Sequence, residues 1–94
     1  MDPKTMHLII VSPEHTLFDG LVNWVELPGD MGRFQVLYNH APLISSLQKG
    51  NMVFETAVAS SNAKPKTQTI AVTGGFVEVK NNAISVCVEQ EHAG

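Results

Sequence analysis

Apolar and polar residues alternate with a period of two along nearly the whole chain, and Gly, Pro or Asn cuts the alternation every few residues. Such a pattern gives each short segment one face to bury and leaves little room for a helix. Met6 to Val11 is an apolar run stopped by Ser12-Pro13. Thr16-Leu17-Phe18 leads to Asp19-Gly20, which reads as a turn. From 21 to 27, Leu21, Asn23, Val25 and Leu27 fall on one face, with Val22, Trp24 and Glu26 on the other, until Pro28-Gly29-Asp30 interrupts. A short strand over 34–37 ends at Tyr38-Asn39, where Asn accepts the left-handed conformation more cheaply than most residues. Segment 42–48 carries helix punctuation in Pro42 and Gly50, yet Leu43, Ile44 and Leu47 span barely two turns, so it is read as extended. Strands follow over 51–59 and 67–72, joined by the polar loop 60–65. A last hairpin pairs 76–80 with 83–88 across Asn81-Asn82, two residues that tolerate the positive φ of a tight primed turn. The expectation is an all-β fold, a flattened antiparallel β-sandwich or barrel of about eight to ten short strands.

Length and composition narrow the function. Ninety-four residues make one domain, expected over 1–88, with a frayed tail over 89–94. Charged residues are 16% of the chain against about 25% in an average soluble domain, which points to apolar surface covered by a partner. The net charge is -3 and the six Lys and Arg are scattered, so no basic stripe exists to displace counterions and nucleic acid is excluded as a partner. Cys87 is the one cysteine, so no internal disulfide forms. No apolar run approaches the roughly 20 residues of a membrane span. Met1-Asp2-Pro3-Lys4-Thr5 lacks the character of a signal or transit peptide, and the product is expected to be soluble and to stay where it is made.

Candidate chemistry is sparse. His7, His15, His40 and His92 lie far apart without the neighbours of a metal-ligand set, so no metal is expected. His40 sits in a turn before Pro42 and either bonds the local backbone or makes a contact. Cys87 reads as a small half-buried hydrophobe, because no helix start or basic neighbour is there to lower its pKa. Gly74-Gly75 precedes a strand rather than a helix, which suits a bulge or a close backbone approach better than a phosphate cradle. Glu26 and Asp30 read as solvated loop carboxylates rather than a catalytic pair. No nucleophile stands with a base, so no enzyme activity and no cofactor are expected. A rival reading is a free-standing β-sandwich that holds a sugar or peptide near Trp24 and Tyr38.

The chain resembles the amino-terminal β-sandwich domain of the F-type ATP synthase epsilon subunit, called delta in mitochondria. The likeness runs from about Met6 to Val88. It rests on His7-Leu8-x-Ile10-Val11-Ser12-Pro13-Glu14, Leu17-Phe18-x-Gly20 and Leu27-Pro28-Gly29-x-x-Gly32-x-Phe34. His40-Ala41-Pro42-Leu43, Lys49-Gly50 and Gly74-Gly75-Phe76-Val77-Glu78-Val79 continue it. The resemblance implies a sandwich of about ten short strands. It also implies a non-catalytic foot of the central stalk that binds the gamma subunit, rests on the c ring and turns with both. Membrane association would be peripheral, on the cytoplasmic face of the inner membrane. Carried across by motif, Ser12, His40, Ala41 and Pro42 would face gamma, and Gly29, Asp30, Met31, Gly32, Arg33 and Ser45 the c ring. Three departures stand out: Arg33 replaces a common acidic residue, Gln35 a usual glycine, and Tyr38-Asn39 a usual Pro-Gly. Many relatives continue into a carboxy-terminal helix pair that binds ATP in some bacteria and blocks rotation. The sequence ends at Gly94, and the resemblance implies no such regulation for it.

Overall fold

The computed structural model describes residues 4–58 and 63–90. The expectations for Met1-Asp2-Pro3, for Ala59, for 60–62 of the polar loop, and for His92 and the rest of 91–94 lie outside the described residues. Eight strands follow one another: β1 (Met6–Val11), β2 (Thr16–Gly29), β3 (Gly32–Val36), β4 (Leu43–Leu47), β5 (Gly50–Thr56), β6 (Lys66–Val72), β7 (Gly74–Lys80) and β8 (Ala83–Glu89). Among the described residues there is no helix, and the segment 42–48 is extended as expected, with β4 over Leu43–Leu47.

The strands form one continuous sheet in the order β1-β8-β7-β4-β2-β5-β6, with β3 on β2 and β1 also on β2. The sheet folds over itself into two layers because β2 is 14 residues long and serves both: its first half pairs β1 and its second half pairs β3 and β5. The body is flattened, 44 × 30 × 20 Å. Every pairing is antiparallel except β1 with β8, which run parallel and join the two ends of the domain.

Two readings of β2 need correction. Asp19-Gly20 is not a turn: Asp19 pairs Ile9 and Gly20 pairs Leu8 inside the ladder. A Cβ on Gly20 would sit 3.2 Å from the Phe18 ring, so the glycine makes room for that ring. The strict alternation over 21–27 also fails. A register shift between Val22 and Trp24, opposite Thr56 and Glu55, leaves Asn23 as an extra residue. This bulge reverses the phase, so Val22 is buried, Leu21 exposed, and Val25 and Leu27 buried further on. The change of phase is what lets one strand turn its apolar face inward in both layers.

Other turns follow their residues. Asn81 and Asn82 take φ of 52° and 61°, the two positive values a primed hairpin turn requires, and Asn39 takes 64°. β8 runs through Glu89, which pairs Gly74 and whose carbonyl accepts from Thr73 N at 2.8 Å. The core is apolar throughout. Leu8, Ile10, Val22, Val25, Leu27, Phe54, Val77 and Ile84 are among its fully buried members, and no described polar or charged residue is buried with them. Each such side chain contributes on the order of 1.5–3 kcal/mol through burial. Phe18 packs on Phe54 with ring centroids 4.6 Å apart.

Candidate functional site

Strand register makes one outer face of the sandwich unusually apolar. Phe76 pairs Cys87 and Ser46, and Cys87 pairs Val11, which sets Val11, Cys87, Phe76 and Ser46 in one row. The next row runs Ile9, Ser85, Glu78 and Ile44. Side chains of paired residues share a face, so both rows point outward from β1, β8, β7 and β4. Ile44 is 74% exposed and Phe76 52%. Glu78 is the one acid or base within the two rows, and His7 and Lys80 stand at the margin in the row beyond. Sequence reasoning missed this patch. The signal was available: in β4 and β7 the outward phase carries Ile44 and Phe76 as well as the inward phase being apolar.

The residues assigned to gamma border this face at its two ends. Ser12 follows β1, its hydroxyl donates to His15 O at 3.1 Å, and it lines a groove of about 290 Å³ with Val11, Pro13, Phe76 and Cys87. His40, Ala41 and Pro42 sit at the opposite end, beside the Asn81-Asn82 turn, in a recess of about 330 Å³. His40 Nδ1 lies 2.7 Å from Ala41 O and His40 N donates to Leu37 O, so local backbone holds part of the ring as well as the turn. Trp24 and Tyr38 line neither recess.

The residues assigned to the ring form a second feature. Gly29 pairs Gly32 across the two-residue turn Asp30-Met31. Asp30 N donates to Ser46 O at 3.1 Å, which ties the hairpin to β4, and Met31 is 100% exposed. Glu26 is not in a loop; it lies in β2 and accepts from Arg33 Nε at 2.7 Å. Arg33 therefore carries its countercharge within the chain, and the tip itself offers Asp30 and Met31. Ser45 stands apart from the tip. It is half-buried in register with Val77 on the inward side of β4, with its hydroxyl donating to Ser46 O. Its neighbours Ile44 and Ser46 are the exposed ones.

Gly74-Gly75 makes the close approach expected of it. Gly75 has φ of 139°, and a Cβ there would lie 2.1 Å from the Cys87 carbonyl oxygen. His7 Nε2 meets Asp19 Oδ1 at 2.5 Å, a diagonal pair across β1 and β2. Among the described residues no three His, Cys, Asp or Glu side chains converge, and no helix is long and apolar enough to cross a membrane.

The geometry is that of a small β-sandwich built to present surfaces: one apolar face and one exposed hairpin tip. Residues 5–93 match the family described as the ATP synthase delta/epsilon chain, beta-sandwich domain, and the chain belongs to that family. A Pelotomaculum thermopropionicum protein named ATP synthase epsilon chain is 41% identical over 86 residues, covering 92% of this chain and 59% of its own. One from Nitratidesulfovibrio vulgaris is 37% identical with the same coverage. The chain thus spans about three-fifths of the length of these relatives. In backbone it is similar to a chain of the Tetrahymena thermophila mitochondrial ATP synthase central stalk and c ring, with a TM-score of 0.72 and 17% identity over 90% of this chain and 63% of that one. A Euglena gracilis mitochondrial ATP synthase chain gives 0.74 and 17%, covering 94% and 52%.

Proposed function

We propose that this domain is a non-catalytic piece of the ATP synthase central stalk, which joins the gamma subunit to the c ring and carries rotation between them. The complex would hold it peripherally on the cytoplasmic face of the inner membrane. The observation that carries the reading is the apolar outer face of β1, β8, β7 and β4 in a chain of this family. Ile44 and Phe76 stand exposed there with one carboxylate, Glu78, within the two rows, which suits a protein partner better than water. Relatives named ATP synthase epsilon chain support the same assignment. Gamma would cover this face between Ser12 and the turn His40-Ala41-Pro42, over a standard interface on the order of 1,600 Å². The β2–β3 tip (Gly29, Asp30, Met31, Gly32 and Arg33) would rest on the ring, without Ser45, which lies on the inward side of β4. Torque then passes through a body whose ladders and packed core resist shear.

The ring contact is tested by reversing charge at the tip. Asp30→Lys with Arg33→Glu in the assembled enzyme should loosen proton-driven synthesis from hydrolysis in membrane vesicles. The reversal removes the Glu26–Arg33 pair and sets a second carboxylate beside Glu26, but these side chains are 40–43% exposed and screened by solvent, so each of the two effects costs the fold no more than about 1 kcal/mol and the domain remains folded. Unchanged coupling would remove the tip from the ring contact.

A further inference from the structure

Two asparagines with left-handed backbone lock onto each other across the recess beside His40. Asn39 N donates to Asn82 Oδ1 at 2.6 Å, and Asn82 Nδ2 donates to Asn39 Oδ1 at 2.9 Å. Their φ values are 64° and 61°. They are 43 residues apart in the chain, so the pair is a tertiary link rather than a local turn bond. Asn82 is fixed from behind as well, because its carbonyl accepts from His7 N at 3.0 Å and thereby ties the β7–β8 turn to β1. The next residue after Asn39 is His40, whose N closes the turn onto Leu37 O. A glycine at either position would satisfy the backbone but supply no amide. Asparagine does both.

We propose that Asn39 and Asn82 form a clasp that holds the segment from Tyr38 to Pro42 in a binding-ready shape against the β7–β8 turn. The clasp is a positioning device: neither amide need touch the partner. This inference rests on the reading of that segment as part of the gamma contact. Without the clasp, a turn held by His40 N and the His40 ring must be ordered at the moment of binding, and the ordering cost appears as lost affinity.

Three single variants and one double variant separate positioning from bulk stability. Asn82→Gly and Asn39→Gly both keep a residue suited to positive φ. Asn82→Gly removes both clasp bonds, whereas Asn39→Gly removes only the bond from Asn82 Nδ2, because the backbone N–H at position 39 still donates to Asn82 Oδ1. Asn81→Gly is the matched control, since its φ is 52° and its exposed side chain takes no part in the clasp. Binding of each purified chain to the gamma subunit is measured by calorimetry well below the melting temperature. Asn82→Gly should weaken binding by roughly three- to tenfold and Asn39→Gly by less, the double variant no further than Asn82→Gly, and Asn81→Gly should leave binding unchanged. Equal affinity for all four variants, or equal weakening by Asn81→Gly, overturns the clasp as a positioning device. Amide exchange of the unbound chain supplies an arm independent of gamma. The Asn39 amide should exchange roughly tenfold faster in Asn82→Gly than in the parent, and an unchanged rate likewise overturns the clasp. If the parent itself does not bind gamma while Asn39 exchange responds as expected, the clasp stands and the gamma assignment falls.

Discussion

Gly75→Ala unfolds this domain at temperatures where the parent chain is intact. Gly75 has φ of 139°, and an added methyl would sit 2.1 Å from the Cys87 carbonyl oxygen and 3.0 Å from Val88 Cα, all backbone atoms of the neighbouring strand. No rotamer change relieves that overlap. Either β7 and β8 separate at Gly75 and Val88, or the backbone leaves its present φ and the pairing beyond it shifts. Backbone strain alone costs about 1–3 kcal/mol at such a position, and the clash adds to it. A loss of at least about 3 kcal/mol is expected, from a domain whose total stability lies within about 5–15 kcal/mol. The melting temperature should fall on the order of 15 °C. Gly32→Ala is the comparison. Its φ is 126°, so the backbone strain of about 1–3 kcal/mol applies there too, but a Cβ meets nothing within 4 Å and no clash is added, so the loss should be smaller than at Gly75. Urea denaturation of both variants checks the pair, and equal midpoints would contradict the account of β7 and β8.

Phe76→Glu with Ile44→Glu should abolish measurable association with gamma while the chain stays folded. Both side chains point outward, so the substitutions disturb no core contact and stability should move by no more than about 1 kcal/mol. At a covered interface the same changes remove two apolar anchors and set two unpaired carboxylates beside Glu78. A loss of at least roughly 100-fold in affinity follows. Met31→Glu, on the hairpin tip, should leave gamma affinity unchanged. Calorimetry with purified gamma reads both variants. Unaltered binding by the double variant would move the gamma contact off the face of β1, β8, β7 and β4.

Local chemistry was the most legible part of the sequence. The positive φ at Asn39, Asn81 and Asn82 and the close approach at Gly75 follow from what those residues alone tolerate, and the structure has each of them. The all-strand class was legible for the same reason, since a period of two cannot bury a helix face. Long strands and distant pairings were not. Asp19-Gly20 has turn composition, but the Phe18 ring folded over the glycine keeps it in the ladder with β1. The bulge at Asn23 reverses a phase that period counting takes as fixed. The parallel pairing of β1 with β8 and the Asn39–Asn82 clasp depend on which distant strands become neighbours, which no local pattern encodes. At the candidate site, motif likeness picked out the turns at both ends of the apolar face. The face between them emerges only once register aligns Phe76 with Cys87 and Ile44 with Glu78.

The central claim is that this chain works as a passive coupler within a rotary complex. Affinity purification of the tagged full chain from the membranes of its own cells, followed by mass spectrometry, tests it most directly. The account predicts gamma and the c subunit in the same complex, in constant ratio to the chain, and lost together from the Phe76→Glu, Ile44→Glu variant. Recovery of the chain alone or with a small soluble ligand, from membranes whose ATP synthase is intact without it, would contradict the claim.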